Sequence, residues 1–98
     1  MSGEGPRVTF VVVVDVPDGG QVAFGQYEDL VLPLLAPHGG RLERRLRTGD
    51  GLTEVHVVSF GDDAGYRAYL AEPERLAHRP LLDGVGVVQR LLRVTDVE

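Results

Sequence analysis

The sequence contains no cysteine, no tryptophan, no lysine, no isoleucine and no asparagine. Without cysteine there is no disulfide, no thiolate metal site and no thiol catalysis. Without lysine, all ten basic residues are arginine. Lysine serves a surface as well as arginine does, so this bias is read as that of a GC-rich bacterial coding sequence. Long hydrophobic runs are missing too. The Val8–Val14 run is far too short to cross a bilayer, and Met1 to Arg7 lacks the apolar core of a signal peptide. A cytoplasmic location without a membrane partner is therefore expected. Positive charge is in deficit, the formal net charge being −5, which argues against a nucleic-acid partner.

What is present is a globular composition. With 98 residues, 43% of them hydrophobic and 26% charged, the chain suits one domain over 1–98 with a single two-layer core. Residues 1–6 read as a flexible head. A first strand, from about Arg7 to Asp15, is apolar without alternation, which predicts burial of both its faces. Pro17-Asp18-Gly19-Gly20 ends it, and Asp18 is placed to cap the next element. From about Gln21 to Ala36 the apolar period becomes 3.6. Ala23, Phe24, Tyr27, Leu30, Val31, Leu34 and Leu35 form the stripe, with Gln26, Glu28 and Asp29 off it. Pro33 predicts a kink, and Pro37-His38-Gly39-Gly40 a stop.

Arg41 to Thr48 alternates, with Leu42, Arg44 and Leu46 on one face and Arg41, Glu43, Arg45 and Arg47 on the other, as suits a charged edge strand. Gly49-Asp50-Gly51 is a hairpin signal, and the return strand runs from Thr53 to Phe60. Gly61-Asp62-Asp63 opens a helix with Tyr66, Tyr69 and Leu70 as its apolar stripe; Glu72-Pro73 breaks it, and Pro73 starts a short segment to about Leu82. Val87 to Val97 is the last strand, again marked as an edge by Arg90 and Arg93.

The order strand, helix, strand, strand, helix, strand, joined by right-handed crossovers, predicts an α+β ferredoxin-like fold (βαββαβ). Its four-stranded antiparallel sheet has the order 4-1-3-2. Both helices then cover one face. Yet the first strand is apolar on both faces, Phe10, Val12 and Val14 opposing Val11 and Val13, and so is the third, Val55 and Val57 opposing Val58 and Phe60, so the second face is left apolar. Burying about 800 Å² of it per subunit is worth on the order of 20 kcal/mol before association costs. A homodimer with its sheets packed face to face is the simplest cover.

Tyr27 and Pro33, then His38-Gly39-Gly40-Arg41, Glu54 through Phe60, Tyr69-Leu70 with Glu72-Pro73-Glu74, and Arg79-Pro80-Leu81 together carry a resemblance spanning nearly the whole chain. The sequence resembles the dimeric α/β-barrel superfamily, in particular its short single-domain members of unassigned function. The resemblance implies a ferredoxin-like subunit, a face-to-face dimer and, in some relatives, a ligand cavity between sheet and helices. Cofactor-free oxygenases, polyketide-tailoring enzymes and haem-degrading enzymes are among those relatives. The Asn and Trp that haem-degrading relatives place beside their His are absent here, as is the Trp of many quinol-oxidising ones.

Several residues are candidates for chemistry. Glu54 and His56, two apart on a strand, share a face, so the carboxylate either raises the basicity of a cavity-lining imidazole or the two form a half-exposed pair at the sheet's end. Arg44, placed with Leu42 and Leu46, either pairs with a buried carboxylate or points into a pocket as an oxyanion holder. His38 at a helix C-terminus is favoured there by the dipole, and Arg41 could clamp a carboxylate or simply charge an edge. Tyr27 and Tyr69 are core residues whose hydroxyls reach toward any cavity. His38, His56 and His78 make no metal motif, so neither a metal nor a tightly held cofactor is expected. Two functions compete. One is binding or modification of a small organic molecule, as by a monooxygenase, a cyclase or isomerase, or a polyketide-tailoring enzyme, with His56, Arg44 and Glu54 as catalytic groups and Tyr27, Tyr69, His38 and Arg41 around the ligand. The other is a non-catalytic dimer that binds a partner or effector.

Overall fold

The two valine-rich stretches lie side by side at the centre of the sheet. In the computed structural model, which describes residues 7–97, β1 (Val8–Asp15) pairs antiparallel with β3 (Thr53–Phe60) on one side and β4 (Val88–Val94) on the other. β2 (Gly40–Arg47) lies outside β3, so the order is β2-β3-β1-β4, the expected arrangement read from the opposite edge. The head proposed for 1–6 lies outside the described residues.

Three helices cover one face: α1 (Gln21–Val31), α2 (Asp63–Leu70) and α3 (Pro73–His78). α1 buries Phe24, Tyr27, Glu28 and Val31, and Leu35 continues the row one turn on. This places Glu28 inside and Leu30 outside, the reverse of the expected stripe, because positions 24, 27, 28 and 31 share the face that meets the sheet. Pro33 does more than kink the helix. Regular α geometry ends at Val31, and the chain continues as 3₁₀ turns at Leu32–Leu34 and Ala36–His38 before Gly39, with φ +73°, reverses it. Asp18 does not cap α1: the cap position is Gly20, and the side chain of Gln21 instead accepts from the Gly19 amide. Asp62 does cap α2, accepting from the Gly65 amide at 2.8 Å. Pro73 stands first in α3, and Arg79–Leu82 follows as a 3₁₀ turn.

One register shift alters the face assignments. A β-bulge between Leu42 and Arg44 leaves Leu42 opposite Val58 but brings Arg44 opposite Val57, Arg45 opposite His56 and Arg47 opposite Glu54. Arg45 and Arg47 therefore face the helices, and Arg44 faces away from them. The bulge also frees Glu43 to accept from the hydroxyl of Ser59, which in turn accepts from Arg7.

Beneath the helices, Phe10, Val14, Val58 and Phe60 are buried, with Tyr66 of α2 stacked on Phe10 at 4.1 Å between ring centres. On the far face Val11, Val13, Val55 and Val57 are only half-buried, and Leu46 and Leu92 beside them are exposed. The expected burial of both faces of β1 is thus not met within one chain, since every helix lies on the same side.

α2 approaches the β2 side closely at Gly65, where an added Cβ would collide with the carbonyl oxygen of His38. Alanine normally improves a helix interior by about 1 kcal/mol over glycine. Here Gly65→Ala is expected to destabilise instead, by about 1–3 kcal/mol, measured as a lower urea midpoint at unchanged slope.

Candidate active site

A buried carboxylate needs its lone pairs filled, and β2 and β3 supply the donors for Glu54. The carboxylate is 3% exposed; it accepts from Arg45 Nε at 2.8 Å through Oε1 and from Arg47 Nη2 at 2.7 Å and Nε at 2.9 Å through Oε2. Oε1 also lies 2.8 Å from His56 Nε2, and His56 is 4% exposed. Burial alone would raise the Glu54 pKa, but the hydrogen bonds from Arg45, His56 and Arg47 outweigh it and hold it at about 2. The pair is therefore no half-exposed sheet-end contact. An ionised carboxylate only accepts, so His56 Nε2 carries a proton and donates it to Glu54, and no hydrogen bond among the described residues uses Nδ1. The Phe24 ring lies near-parallel to the imidazole, 6.3 Å between ring centres.

Between this patch and the helices lies a cavity of about 140 Å³. His56, Tyr27, Tyr69, Glu28 and Arg75 bring polar groups to walls that are otherwise apolar, Val12, Val14, Val31 and Val58 among them. Glu28 contrasts with Glu54. It is 6% exposed, and no hydrogen bond among the described residues uses its carboxyl. Desolvation dominates, Arg45 offsets it in part and Glu54 reinforces it, so the pKa rises to about 7. Burial likewise raises both Tyr27 and Tyr69 against the pull of Arg75, which keeps both hydroxyls protonated as donors. Arg75 sits with its guanidinium carbon 5.0 Å from the Tyr69 ring centre, and its Nε is buried without a partner among the described residues.

The structure thus brings together four of the residues singled out in sequence, Glu54, His56, Tyr27 and Tyr69. Arg44 is not with them: the bulge turns it to the opposite face of the sheet, and Arg45 takes the position reasoned for it. Arg41, opposite Ser59 on β2, and His38, whose Nε2 is 3.8 Å from Glu72 Oε1, also lie outside the cavity wall. Glu28, Arg45, Arg47 and Arg75 were not anticipated. Glu28 had a legible signal, four residues after Phe24 and three before Val31; the bulge that re-aims Arg45 had none. Among the described residues no group of three or more potential metal ligands occurs, and no helix is long and apolar enough to cross a membrane.

No family model and no curated protein matches the chain. Solved structures do resemble it. SnoaB, a cofactor-independent oxygenase from Streptomyces nogalater, superposes with a TM-score of 0.78 at 23% identity, over 96% of each chain. A protein named as a candidate antibiotic biosynthesis monooxygenase from Bacteriodes thetaiotaomicron gives 0.77 at 14% identity, over 98% of this chain and 94% of that one. Its counterpart from Nitrosomonas europaea gives 0.76 at 13%, over 93% and 99%. The chain thus shares the fold of these proteins and of others of unknown function. At these identities the likeness is one of fold, and chemistry has to be argued from the site itself.

The two carboxylates make opposite contributions to stability. Folded Glu28 ionises near 7 and unfolded Glu28 near 4.5, so folding retains a proton between those values and stability falls as pH rises through them, by about 3 kcal/mol in all. Glu54, depressed to about 2, contributes stability that is present above pH 4.5 and is lost as pH falls toward 2. Urea titrations from pH 3 to 8 are expected to show a maximum near pH 5. In Glu28→Gln the decline between pH 5 and 7 should disappear, while the acid limb persists.

Proposed function

We propose that this chain is a homodimeric enzyme that modifies a small organic molecule in the cavity between sheet and helices, as a cofactor-independent oxygenase. The observation that carries the reading is that one cavity is lined from the helix side by a buried carboxyl that ionises near pH 7, with no hydrogen-bond partner among the described residues, and from the sheet side by an imidazole bonded to Glu54. A carboxyl ionising near pH 7 is poised to take and return protons at neutral pH. The fold it shares with SnoaB, a cofactor-independent oxygenase, supports the same direction.

The chemistry needs no external reductant. Glu28 or His56 Nδ1 removes a proton from an electron-rich hydroxylated substrate, and the resulting anion places electron density on a ring carbon. That carbon gives its electrons to molecular oxygen and forms a C–O bond to it, leaving a peroxide anion. Protonation gives a hydroperoxide; loss of water then breaks its O–O bond and leaves a carbonyl. One substrate and one O₂ give one carbonyl product and one water. Tyr27, on the cavity wall with its hydroxyl held protonated by burial, is the donor available to a developing oxyanion, since the Tyr69 hydroxyl already donates to the Val31 carbonyl at 3.4 Å. Arg44, on the other face, takes no part.

Dimerisation is supported by the far face of the sheet, where Val11, Val13, Val55, Val57, Leu46 and Leu92 form one apolar patch flanked by Arg44 and Arg90.

Two outcomes are expected. In sedimentation velocity at micromolar concentration the protein runs as a dimer, and Val57→Arg, which puts a charge in the middle of that patch, runs as a folded monomer; a monomeric wild type removes the dimer. With a panel of hydroxynaphthalenes and dihydroxybenzoates under air, oxygen uptake should fall by about 10²-fold or more in both Glu28→Gln and His56→Gln. Saturable binding without uptake in the wild type would instead establish the non-catalytic effector module.

A further inference from the structure

The cavity adjoins a second space of unlike chemistry. The inner compartment, about 140 Å³, has valine and leucine walls with Glu28 and His56 set into them. A cleft of about 650 Å³ shares Tyr27, Leu70, Arg75 and Gln89 with it and adds Arg79 and Asp83. Apolar cavities of about 150 Å³ hold a single benzene-sized ring. The inner compartment therefore has room for one ring, and the rest of a ligand must lie in the cleft.

Charge sets which end goes where. Arg75 and Arg79 stand four residues apart across α3 and the turn after it, and both act electrostatically on the Tyr27 hydroxyl at the junction of the two spaces. Asp83 alone opposes them among the residues around the cleft. Arg75 donates Nη1 to the carbonyl of Leu70 at a long 3.3 Å and also hydrogen-bonds the Tyr69 side chain, yet its buried Nε has no acceptor among the described residues. An unmet guanidinium N–H is costly, and an anionic oxygen is the group that satisfies it best. Deeper in, the charge of Glu54 is already met by Arg45 and Arg47, whereas the arginines of the cleft face only Asp83. An anion is thus drawn to the cleft, where a guanidinium donor is still unmet.

We propose that the ligand is a single-ring hydroxylated aromatic acid, its ring and hydroxyl in the inner compartment and its carboxylate in the cleft on Arg75 and Arg79. The hydroxyl's place beside Glu28 and His56 rests on the oxygenase reading above; the carboxylate's place does not.

Calorimetric titration at pH 7 with 4-hydroxybenzoate, its neutral counterpart 4-hydroxybenzamide and the two-ring 6-hydroxy-2-naphthoate tests this without any turnover. The benzoate should bind roughly tenfold or more tightly than the benzamide, as a charge-assisted contact predicts, and more tightly than the naphthoate. Arg79→Gln should abolish the acid's advantage over the amide. Arg79 is exposed, so this variant stays folded where Arg75→Gln, stripped from Tyr69, risks not doing so. Equal affinity for acid and amide overturns the anion site while leaving a ring-binding cavity intact. Tighter binding of the naphthoate overturns the one-ring limit. Binding of none of the three overturns this inference and the small-molecule reading together, whereas tight benzoate binding with no oxygen uptake from any hydroxyarene overturns only the oxygenase.

Discussion

The carboxylate of Glu54 is the constraint to which this structure is built. An ionised group in so dry a position carries a desolvation penalty of several kcal/mol, which only well-placed donors offset. Two guanidinium groups from the neighbouring strand and one imidazole from its own meet that demand within 2.7–2.9 Å. Meeting it dictates the local backbone. In a regular β2 continuing from Leu42, positions 44 and 46 would point toward the helices and Arg45 and Arg47 away from them. Glu54 would then face His56 with no permanent cation beside it. The bulge between Leu42 and Arg44 reverses that alternation for the second half of the strand. The extra residue, Glu43, is not wasted, since it joins Ser59 and Arg7 at the sheet's end.

From that ion cluster comes the character of the cavity. Glu54 has its charge fixed by three donors, whereas Glu28, close enough to feel both Arg45 and Glu54 but bonded to neither among the described residues, has a charge that changes near neutrality. One carboxylate is held ionised by its donors, and the other has no such donor among the described residues. The same residue type fills two roles because β3 places one against donors and α1 places the other against valine. His56 is hydrogen-bonded to the first and lines the same cavity as the second.

Much of this was legible in the sequence, for identifiable reasons. The strand order, the helix positions and the shared face of Glu54 and His56 follow from periods of 2 and 3.6 and from proline and glycine signals, all local properties. Tyr27 and Tyr69 were placed correctly because they sit on those stripes. Arg44 was misplaced because strand alternation is a rule with no memory of bulges. A single inserted residue inverts every later assignment, and nothing in Leu42-Glu43-Arg44-Arg45 announces it. Glu28 was set aside for its charge although its spacing from Phe24 and Val31 put it on the buried stripe; there composition was allowed to overrule geometry. The 3₁₀ turns after Pro33 could be foreseen as a disturbance but not as a change of helix type, because the packing of Leu35 decides how the chain resumes.

The two faces of the sheet are linked through stability. Keeping a cavity of about 140 Å³ open inside so small a core forgoes about 3 kcal/mol of packing. That is a large share of the 5–15 kcal/mol by which such domains are stable, and the buried, uncompensated Glu28 subtracts more at neutral pH. A chain of 98 residues has few places to recover this, because its helices already cover all they can reach. The remaining reserve is the half-exposed valine surface on the far side of β1 and β3. Covering it removes apolar area from water without filling the cavity, since the sheet lies between the two. A sheet with a cavity on one face and apolar surface on the other would thus recover as a dimer the stability it lacks as a lone subunit, so that in the proposed dimer the interface and the cavity answer one energetic requirement.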